Sequence, residues 1–306
     1  MTAVLPDLRD VPDDPSALAE TTRRLLDSSA TLSYDPDAEI DWDAPLDPTL
    51  YGLNPEWSTL YGTALWDRMT EQQRVTLTRH EVSSIMSTGI WFEMILQQMM
   101  LRDFYRRDHA STEFRFALTE IADECRHSSM FARTCAKLDA TGYFPNRLAV
   151  ELGRGFKTLA AGEVAYASIL VAEEVLDVMQ RDWMRGEDVL PEVRTTSKIH
   201  VVEESRHMKF ARAEIRENLR GVSRPRREAS ALVVSVGAKI IVDNMVNPRV
   251  YAAAGLDQAT AAKVAAANPH RKAMLRTSCR HLVDFLGEAG LLTKASVQVY
   301  RSADMM

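Results

Sequence analysis

Residues 198–211 read KIHVVEESRHMKFA and carry three potential metal ligands at helical spacing. His200, Glu204 and His207 are separated by four and then three positions. At about 100° per residue on an α-helix, these side chains fall within an arc of roughly 60°. Two imidazoles and a carboxylate on one stripe are costly to bury unless a cation binds there. The stretch therefore predicts a helix that supplies ligands to a divalent metal ion.

A second Glu-x-x-His motif lies upstream, where Glu124 and His127 occur in residues 119–131, TEIADECRHSSMF. Each motif is preceded, 31 residues earlier, by a glutamate within an apolar run: Glu93 in WFEMIL and Glu173 in LVAEEVLDVM. Two such pairs, plus one glutamate from each of two further helices, form the ligand set of a dinuclear carboxylate site in a four-helix bundle. The seven predicted metal ligands are Glu93, Glu124, His127, Glu173, His200, Glu204 and His207.

Some of these assignments have a simpler alternative. One Glu-x-x-His motif alone is common on helices, whereas two copies with equally spaced upstream glutamates are difficult to explain without a metal. His200 could instead be a packed core histidine. Glu120, one turn before Glu124, could support a ligand or form a partly exposed salt bridge. Asp177, one turn after Glu173, could orient a ligand histidine through its ring N–H.

Apolar periodicity predicts helices along most of the chain, and no strand alternation stands out. The four helices that bear the ligands are predicted near residues 70–107, 111–140, 156–185 and 191–219. Additional helices are predicted near residues 14–29, 226–246, 257–267 and 270–289, with an extended arm at 34–53. The expected fold is all-α, a ferritin-like four-helix bundle with additional N- and C-terminal helices.

The composition narrows the class of protein. The chain has 306 residues, of which 46% are hydrophobic, and a formal net charge of −6. These values allow a sizeable core and lack the basic character of a nucleic-acid-binding protein. Three cysteines without motif spacing favour reduced thiols and a cytoplasmic protein. The most apolar stretch, residues 229–246, contains Lys239 and Asp243, so a buried amphipathic helix is expected there and not a membrane span.

The pattern Glu93, Glu124-x-x-His127, Glu173 and His200-x-x-x-Glu204-x-x-His207 resembles the diiron arylamine N-oxygenase family, typified by p-aminobenzoate N-oxygenase. The resemblance spans roughly residues 60–290, and its specific parts are the two-half layout and the third histidine. It implies a homodimeric diiron oxygenase that converts an aromatic amine to its hydroxylamine, nitroso or nitro form. The expected domains are an N-terminal arm and short helix at 1–57, a diiron helical-bundle oxygenase domain at 58–290 and a C-terminal tail at 291–306.

The predicted ligands also indicate the metal. Four carboxylates would balance the charge of two Fe(II) ions, and carboxylate and imidazole donors suit iron or manganese. Two iron ions with O2 as co-substrate are therefore expected, with manganese as the alternative. Because no Gly-rich nucleotide fingerprint or cysteine cluster stands out, electrons are expected from an external reductase or a small-molecule donor.

The sequence is consistent with three classes of function. The first is an O2-dependent N-oxygenase that acts on a small-molecule amine. The second is a diiron hydroxylase or desaturase that acts on carbon, and the third is a manganese catalase-like or iron-handling bundle. A carboxylated arylamine would need a cation near its far end, and Arg276 and Arg280 on the last predicted helix are the candidates.

Overall fold

The computed structural model describes residues 15–306, and within this range the chain forms an all-α bundle. The only β-type pairing among these residues is a single parallel bridge between Tyr51 and Val189. In chain order the α-helices are α1 (Pro15–Thr31), α2 (Pro36–Glu39), α3 (Ala64–Arg68), α4 (Glu71–Phe104), α5 (Thr112–Lys137), α6 (Arg147–Leu159), α7 (Gly162–Trp183), α8 (Pro191–Asn218), α9 (Arg224–Asn244), α10 (Arg249–Ala253), α11 (Gln258–Ala267), α12 (Pro269–Glu288) and α13 (Lys294–Ser302). The predicted all-α fold with additional N- and C-terminal helices is confirmed.

Four of these helices, α4, α5, α7 and α8, form the central bundle. Consecutive helices pair, α4 with α5 and α7 with α8, and α5 also packs against α8. The start of α4 is fixed by a capping box, because the Thr70 hydroxyl accepts from the Gln73 N–H while the Gln73 side chain accepts from the Thr70 N–H. Pro191 occupies the first turn of α8, as the sequence predicted. The two halves expected from the spacing of the glutamates are therefore two packed helix pairs.

One predicted helix begins later in the chain than expected. The sequence predicts a continuous helix over residues 156–185, whereas α6 ends at Leu159 and α7 begins at Gly162. Gly162 has a φ angle of +54°, in the left-handed region that favours glycine and interrupts an α-helix. The prediction was wrong here because apolar periodicity continues across the break. Residues 156–159 belong instead to α6, which lies where the sequence predicts a connection or short helix from Pro145 toward Gly155, and α6 packs on α4.

The remaining helices cover the bundle. α1 packs on α5 and α8, α10 on α4, and both α9 and α12 on α7, while α13 packs on α9. Residues 291–306, predicted as a tail, thus contain α13, and the domain boundaries themselves stay predictions. Residues 1–14, including the helix start predicted at Asp14, lie outside the described residues. Within the described range, residues 224–253 form a helical stretch long and apolar enough, by length and composition, to cross a membrane; its first helix, α9, packs on α7 and α13.

A buried acid joins α4 to the segment before it and to α10. Glu81 is 1% exposed, and its Oε1 accepts hydrogen bonds from the backbone N–H and the hydroxyl of Thr59. The Thr59 hydroxyl in turn lies 2.9 Å from the Tyr251 hydroxyl on α10. Burial raises the pKa of Glu81 from 4.5 to about 7, although the hydrogen bonds from Thr59 oppose this change. The folded chain therefore binds the Glu81 proton more tightly than the unfolded chain does.

The pH dependence of stability tests this assignment. Because the pKa of Glu81 is higher in the folded state, its contribution to the free energy of unfolding is fully present below pH 4.5. This contribution is lost as pH rises through about 7. The free energy of unfolding of Glu81→Gln minus that of the wild type should therefore increase by about 3 kcal/mol between about pH 4 and pH 8. Urea titrations at both pH values measure it, with the exposed Glu187→Gln as the control. A difference that is the same at both pH values would contradict the assignment.

Candidate metal centre

The two Glu-x-x-His motifs face each other in the core where α5 packs on α8. His127 Nδ1 lies 3.1 Å from Glu124 Oε2 and 3.1 Å from Glu204 Oε1. His207 Nδ1 lies 3.1 Å from Glu124 Oε1 and 3.2 Å from Glu204 Oε2. All four side chains are buried, and each offers a ligand atom within 4.8 Å of the others. Each histidine therefore faces both glutamates across the helix pair.

The third histidine joins the cluster from the same stripe of α8. His200 Nε2 lies 3.4 Å from Glu204 Oε1 and 3.7 Å from Glu93 Oε1 on α4. The ring is 3% exposed, and its nitrogen belongs to a group of potential ligand atoms with Glu93 and His127. His200 is thus buried against the other predicted ligands and not in a separate part of the core.

Glu173 of α7 enters the cluster without any hydrogen-bond donor. It is 6% exposed, and neither of its carboxylate oxygens has a hydrogen-bond partner among the described residues. One of its oxygens lies within 4.8 Å of oxygens from Glu120 and Glu124. Glu120 is 1% exposed and its Oε2 is likewise without a donor, so it belongs to the cluster and is not an exposed salt bridge.

This set of donors fits a bound metal. Buried carboxylates normally have a donor or a cation beside them, because desolvating an unpaired charge is unfavourable. All seven predicted ligands fall in overlapping groups of buried potential ligand atoms, which also include Glu120. Carboxylate and imidazole donors suit iron or manganese. The structure thus brings the predicted ligands together, while their assignment as ligands stays a prediction.

Several groups of the cluster have raised pKa values, so they bind protons more tightly than the same side chains do in water. Burial raises the pKa of Glu173 well above its usual value, and the nearby Glu204 and Glu124 add to the effect. Burial opposes a charged His207, but Glu204 and the surrounding acids still raise its pKa well above the usual value. The pKa of His127 is raised in the same way, chiefly by its hydrogen bond to Glu124. A divalent ion would displace these protons, so metal binding and proton release are linked.

The Nε2 atoms of His127 and His207 each lie within hydrogen-bond distance of an acid on the other helix. His127 Nε2 lies 2.8 Å from Glu203 Oε2, and His207 Nε2 lies 3.2 Å from Asp123 Oδ2. Each acid comes from the opposite motif, one position before its glutamate. When the Nε2–H donates to the acid, Nδ1 is left to face the inner carboxylates, which is how carboxylates orient ligand histidines in metal sites.

Two arginines neutralise this outer pair of acids. Arg126 Nη2 donates to Asp123 Oδ1 at 2.5 Å and to Glu203 Oε1 at 3.3 Å. Arg206 is 2% exposed, and its Nη2 lies 3.5 Å from Asp123 Oδ2 and 3.9 Å from Glu203 Oε1. Sequence reasoning missed all four residues. The available signal was the repeated order acid-Glu-x-Arg-His, in DECRH at residues 123–127 and EESRH at residues 203–207.

His200 is oriented by an amide and not by the predicted acid. Its Nδ1 lies 2.6 Å from Gln180 Oε1, so an Nδ1–H donates to this buried amide of α7. Asp177 instead accepts from Arg181 Nε at 2.7 Å. The expectation that Asp177 orients a ligand histidine was therefore wrong, because Arg181 one turn later engages its carboxylate. The Gln180 contact leaves Nε2 of His200 directed at Glu93 and Glu204.

A cavity of about 30 Å³ adjoins the cluster, and we call it the inner pocket. Its walls include Glu93, Glu173 and His200, together with the apolar side chains of Phe92 and Ile241. This volume holds about two water-sized molecules. The inner pocket is therefore the place where a small molecule or the end of a larger one could reach the cluster.

An arginine that the sequence did not single out lies near the inner pocket. A second cavity, of about 50 Å³, shares Ile85 and Met245 with the inner pocket and has Arg271 in its wall. The predicted cations Arg276 and Arg280 are exposed on α12 and line neither cavity. Their part in substrate binding stays a prediction, whereas Arg271 is the arginine of α12 that the structure places beside the site.

Fold and cluster together define an all-α bundle built around a buried carboxylate–histidine group compatible with a metal site. The sequence matches the family described as P-aminobenzoate N-oxygenase AurF over residues 15–290. The chain belongs to this family, which confirms the resemblance carried by the motifs. Membership supports an oxygenase enzyme, and the specific reaction is a separate question.

Similar curated proteins come from mycobacteria. An uncharacterised protein of Mycobacterium tuberculosis (strain CDC 1551) is 26% identical over 250 residues, which cover 78% of this chain and 72% of that protein. Uncharacterised proteins of Mycobacterium bovis and of M. tuberculosis (strain H37Rv) are each 27% identical over 229 residues, or 71% of this chain and 66% of theirs. Because all three are uncharacterised, they assign no reaction.

Replacing Glu173 should separate stability from metal binding. In Glu173→Leu, a buried carboxylate without a donor is lost, so the metal-free protein should be more stable by about 1–3 kcal/mol. The same change should abolish the stabilisation that Fe(II) gives the wild type. Urea unfolding with chelator and with anaerobic Fe(II) measures both effects. Glu174→Leu is the matched control, because Glu174 is paired with Arg212 outside the cluster; it should lose stability and keep its iron. Unchanged iron binding in Glu173→Leu would refute the assignment.

The two outer acids should have equivalent effects on metal affinity. Asp123→Asn and Glu203→Gln each weaken the hold on one histidine, so each should lower Fe(II) affinity by about 10–100-fold. Anaerobic metal titrations measure this. Glu214→Gln serves as the control, because Glu214 is equally buried on α8 but pairs with Arg107. An effect confined to one of the two acids would contradict the crossed arrangement.

Proposed function

We propose that this chain is a non-haem diiron oxygenase that uses O2 to oxidise an amine, in the first instance an aromatic one, to a hydroxylamine, nitroso or nitro product. The observation that supports it most is the gathering of four carboxylates and three histidines in one buried cluster, in a member of the p-aminobenzoate N-oxygenase family. Glu173 in particular has no hydrogen-bond donor among residues 15–306, and a metal ion would supply a partner for its carboxylate.

In this proposal the iron ions are held by the seven predicted ligands. When bound, the iron pair would supply the electrons that activate O2. The residues that would hold it are Glu93, Glu124, His127, Glu173, His200, Glu204 and His207. Glu120 is close enough to act as a further ligand or as a neighbour that shares a proton.

The surrounding side chains hold these groups in place and limit access. The Ser128 hydroxyl donates to Glu93 Oε2, and Gln180 fixes the ring of His200. Phe92 and Leu96 line the inner pocket beside them, and the predicted ligands are at most 6% exposed, so little solvent reaches the cluster. A dry, preorganised site favours controlled oxygen transfer over wasteful side reactions.

Further expectations belong to the same proposal. Electrons would come from a separate reductase or a small-molecule donor, and the protein would act as a homodimer in the cytoplasm. What supports the cytoplasm is the small, odd number of cysteines, Cys125, Cys135 and Cys279, which have no motif spacing. Manganese is the alternative metal, and carbon is the alternative site of oxidation.

The test combines metal analysis with turnover. The purified protein should contain about two iron ions per chain and, with a reductant and isotope-labelled O2, should transfer labelled oxygen to the nitrogen of an arylamine. His200→Ala should lower iron content or turnover by at least about tenfold, because the third histidine is lost. His281→Ala, which removes an exposed histidine of α12, should have no effect.

Other outcomes would overturn the proposal in distinct ways. Label found on carbon would favour a hydroxylase or desaturase. Native manganese with no oxygen transfer would favour a catalase-like protein. Full activity in His200→Ala would show that the third histidine does not take part.

A further inference from the structure

The inner pocket is too small for a whole substrate. It has about 30 Å³ of space, whereas pockets for small organic ligands typically enclose roughly 300–1,000 Å³. An amine nitrogen could reach Glu93 and His200 there, but the rest of the molecule must lie elsewhere. That space must adjoin a wall of the inner pocket.

A much larger cavity lies directly behind one of these walls. This outer cavity is open to solvent and has about 890 Å³ of space between α4, α6, α7 and α9. Phe92 of α4 and Ile241 of α9 line both the outer cavity and the inner pocket. These two side chains therefore form the partition between the open space and the predicted ligands.

The outer cavity is lined mainly by hydrocarbon. Apolar side chains from three helices form its walls, among them Trp91, Ile95, Leu152, Leu159, Val233 and Val236. Leu152, Leu159, Val233 and Val236 are each more than 40% exposed, so they present apolar surface to whatever enters. Such a lining favours an apolar ligand, because burying hydrocarbon stabilises binding by about 25 cal/mol per Å².

The charged side chains in the lining are already paired. Arg226 donates to both carboxylate oxygens of Glu163, each at 2.9 Å, and the Ser230 hydroxyl donates to the same carboxylate at 2.9 Å. Glu151 is paired with Arg154 at 2.7 Å. An anionic ligand would have to disrupt the Glu163 pair or remain unpaired against apolar walls, which is unfavourable.

Two glycines keep the cavity open. Gly155 lies in the middle of α6, and a Cβ added there would have no atom within 4 Å. Gly237 lies within α9, and a Cβ there would have Ser168 Oγ as its nearest atom, at 3.9 Å. Glycine inside a helix costs about 1 kcal/mol relative to alanine. The chain thus has glycine where a larger residue would fit without a clash but would fill the space.

We propose that the outer cavity binds the hydrocarbon body of the substrate and that the amine end passes between Phe92 and Ile241 into the inner pocket. The substrate class is then a neutral amine with an extended apolar body, aryl or alkyl, and not a carboxylated arylamine. This inference rests on the proposed function for the identity of the reacting group. The site itself is defined by the walls of the outer cavity.

Binding is measured without turnover, so the result does not depend on the reaction. Calorimetric titration of the as-isolated protein compares para-methyl-, para-butyl- and para-octylaniline with para-aminobenzoate. Because each buried methylene contributes about 0.8 kcal/mol, the octyl compound should bind at least about a hundredfold more tightly than the methyl compound. Gly155→Phe and Gly237→Phe, on opposite walls, should each remove most of this gain. Ala266→Phe, which adds the same ring to an exposed position on α11, should preserve it.

Several results would overturn the inference. One is equal affinity for the methyl, butyl and octyl anilines. Another is that Gly155→Phe and Gly237→Phe still bind the octyl compound more tightly than the methyl compound, while thermal unfolding shows that both variants are folded. A third is that para-aminobenzoate binds more tightly than the alkylanilines and loses this advantage in Arg271→Gln. That result would place the substrate in the cavity beside Arg271 instead. Sedimentation measures the oligomeric state. If the wild type is a dimer and both glycine variants are monomers, the outer cavity is a dimer interface and not a substrate site. Failure of every amine to be oxidised would instead refute the proposed function.

Discussion

The burial of negative charge is the constraint on which the rest of this structure depends. Five glutamates converge in an apolar core: Glu93, Glu120, Glu124, Glu173 and Glu204. Two shells of positive or donor groups make this tolerable. The inner shell consists of three histidines, and the outer shell consists of two arginines with the two acids that they hold against two of those histidines. Without both shells, the desolvation of so many carboxylates would oppose folding.

The helices outside the central bundle complete this arrangement. The chain that follows α1 closes the outer shell, because the Tyr34 N–H donates to Glu203 Oε1 at 3.1 Å and the Leu32 carbonyl accepts from Arg206 at 3.0 Å. On the other side of the bundle, α6 and α9 leave a large apolar cavity open next to the inner pocket. One side of the molecule therefore holds the predicted ligands in place, and the other contains the cavity that we assign to the substrate.

Much of the fold and of the inner cluster could be predicted because it depends on helical periodicity. The spacing of Glu204 and His207 on one helix fixes their common direction whatever the rest of the chain does. The outer shell was missed, since the repeat of DECRH and EESRH marks its residues but does not show that the partner of His127 is Glu203, 76 positions away on another helix. The break at Gly162 was missed for a related reason, because apolar periodicity does not reveal a local backbone angle. Gln180 and Arg271 likewise acquire their roles only through packing between helices.

The contacts of His127 with Glu203 and of His207 with Asp123, which join α5 to α8, matter for metal binding by the unfolded chain. Each motif histidine is oriented by an acid from the other helix, so neither helix alone presents a competent binding site. A nascent or damaged chain in which the two helices are apart has little means of retaining a redox-active ion. Iron that is loosely held in the presence of O2 generates harmful oxidants, and in the proposed diiron protein tight binding would wait until α5 and α8 have packed together. The packing of α5 on α8 would thereby protect the cell from loosely bound iron as well as position the predicted ligands.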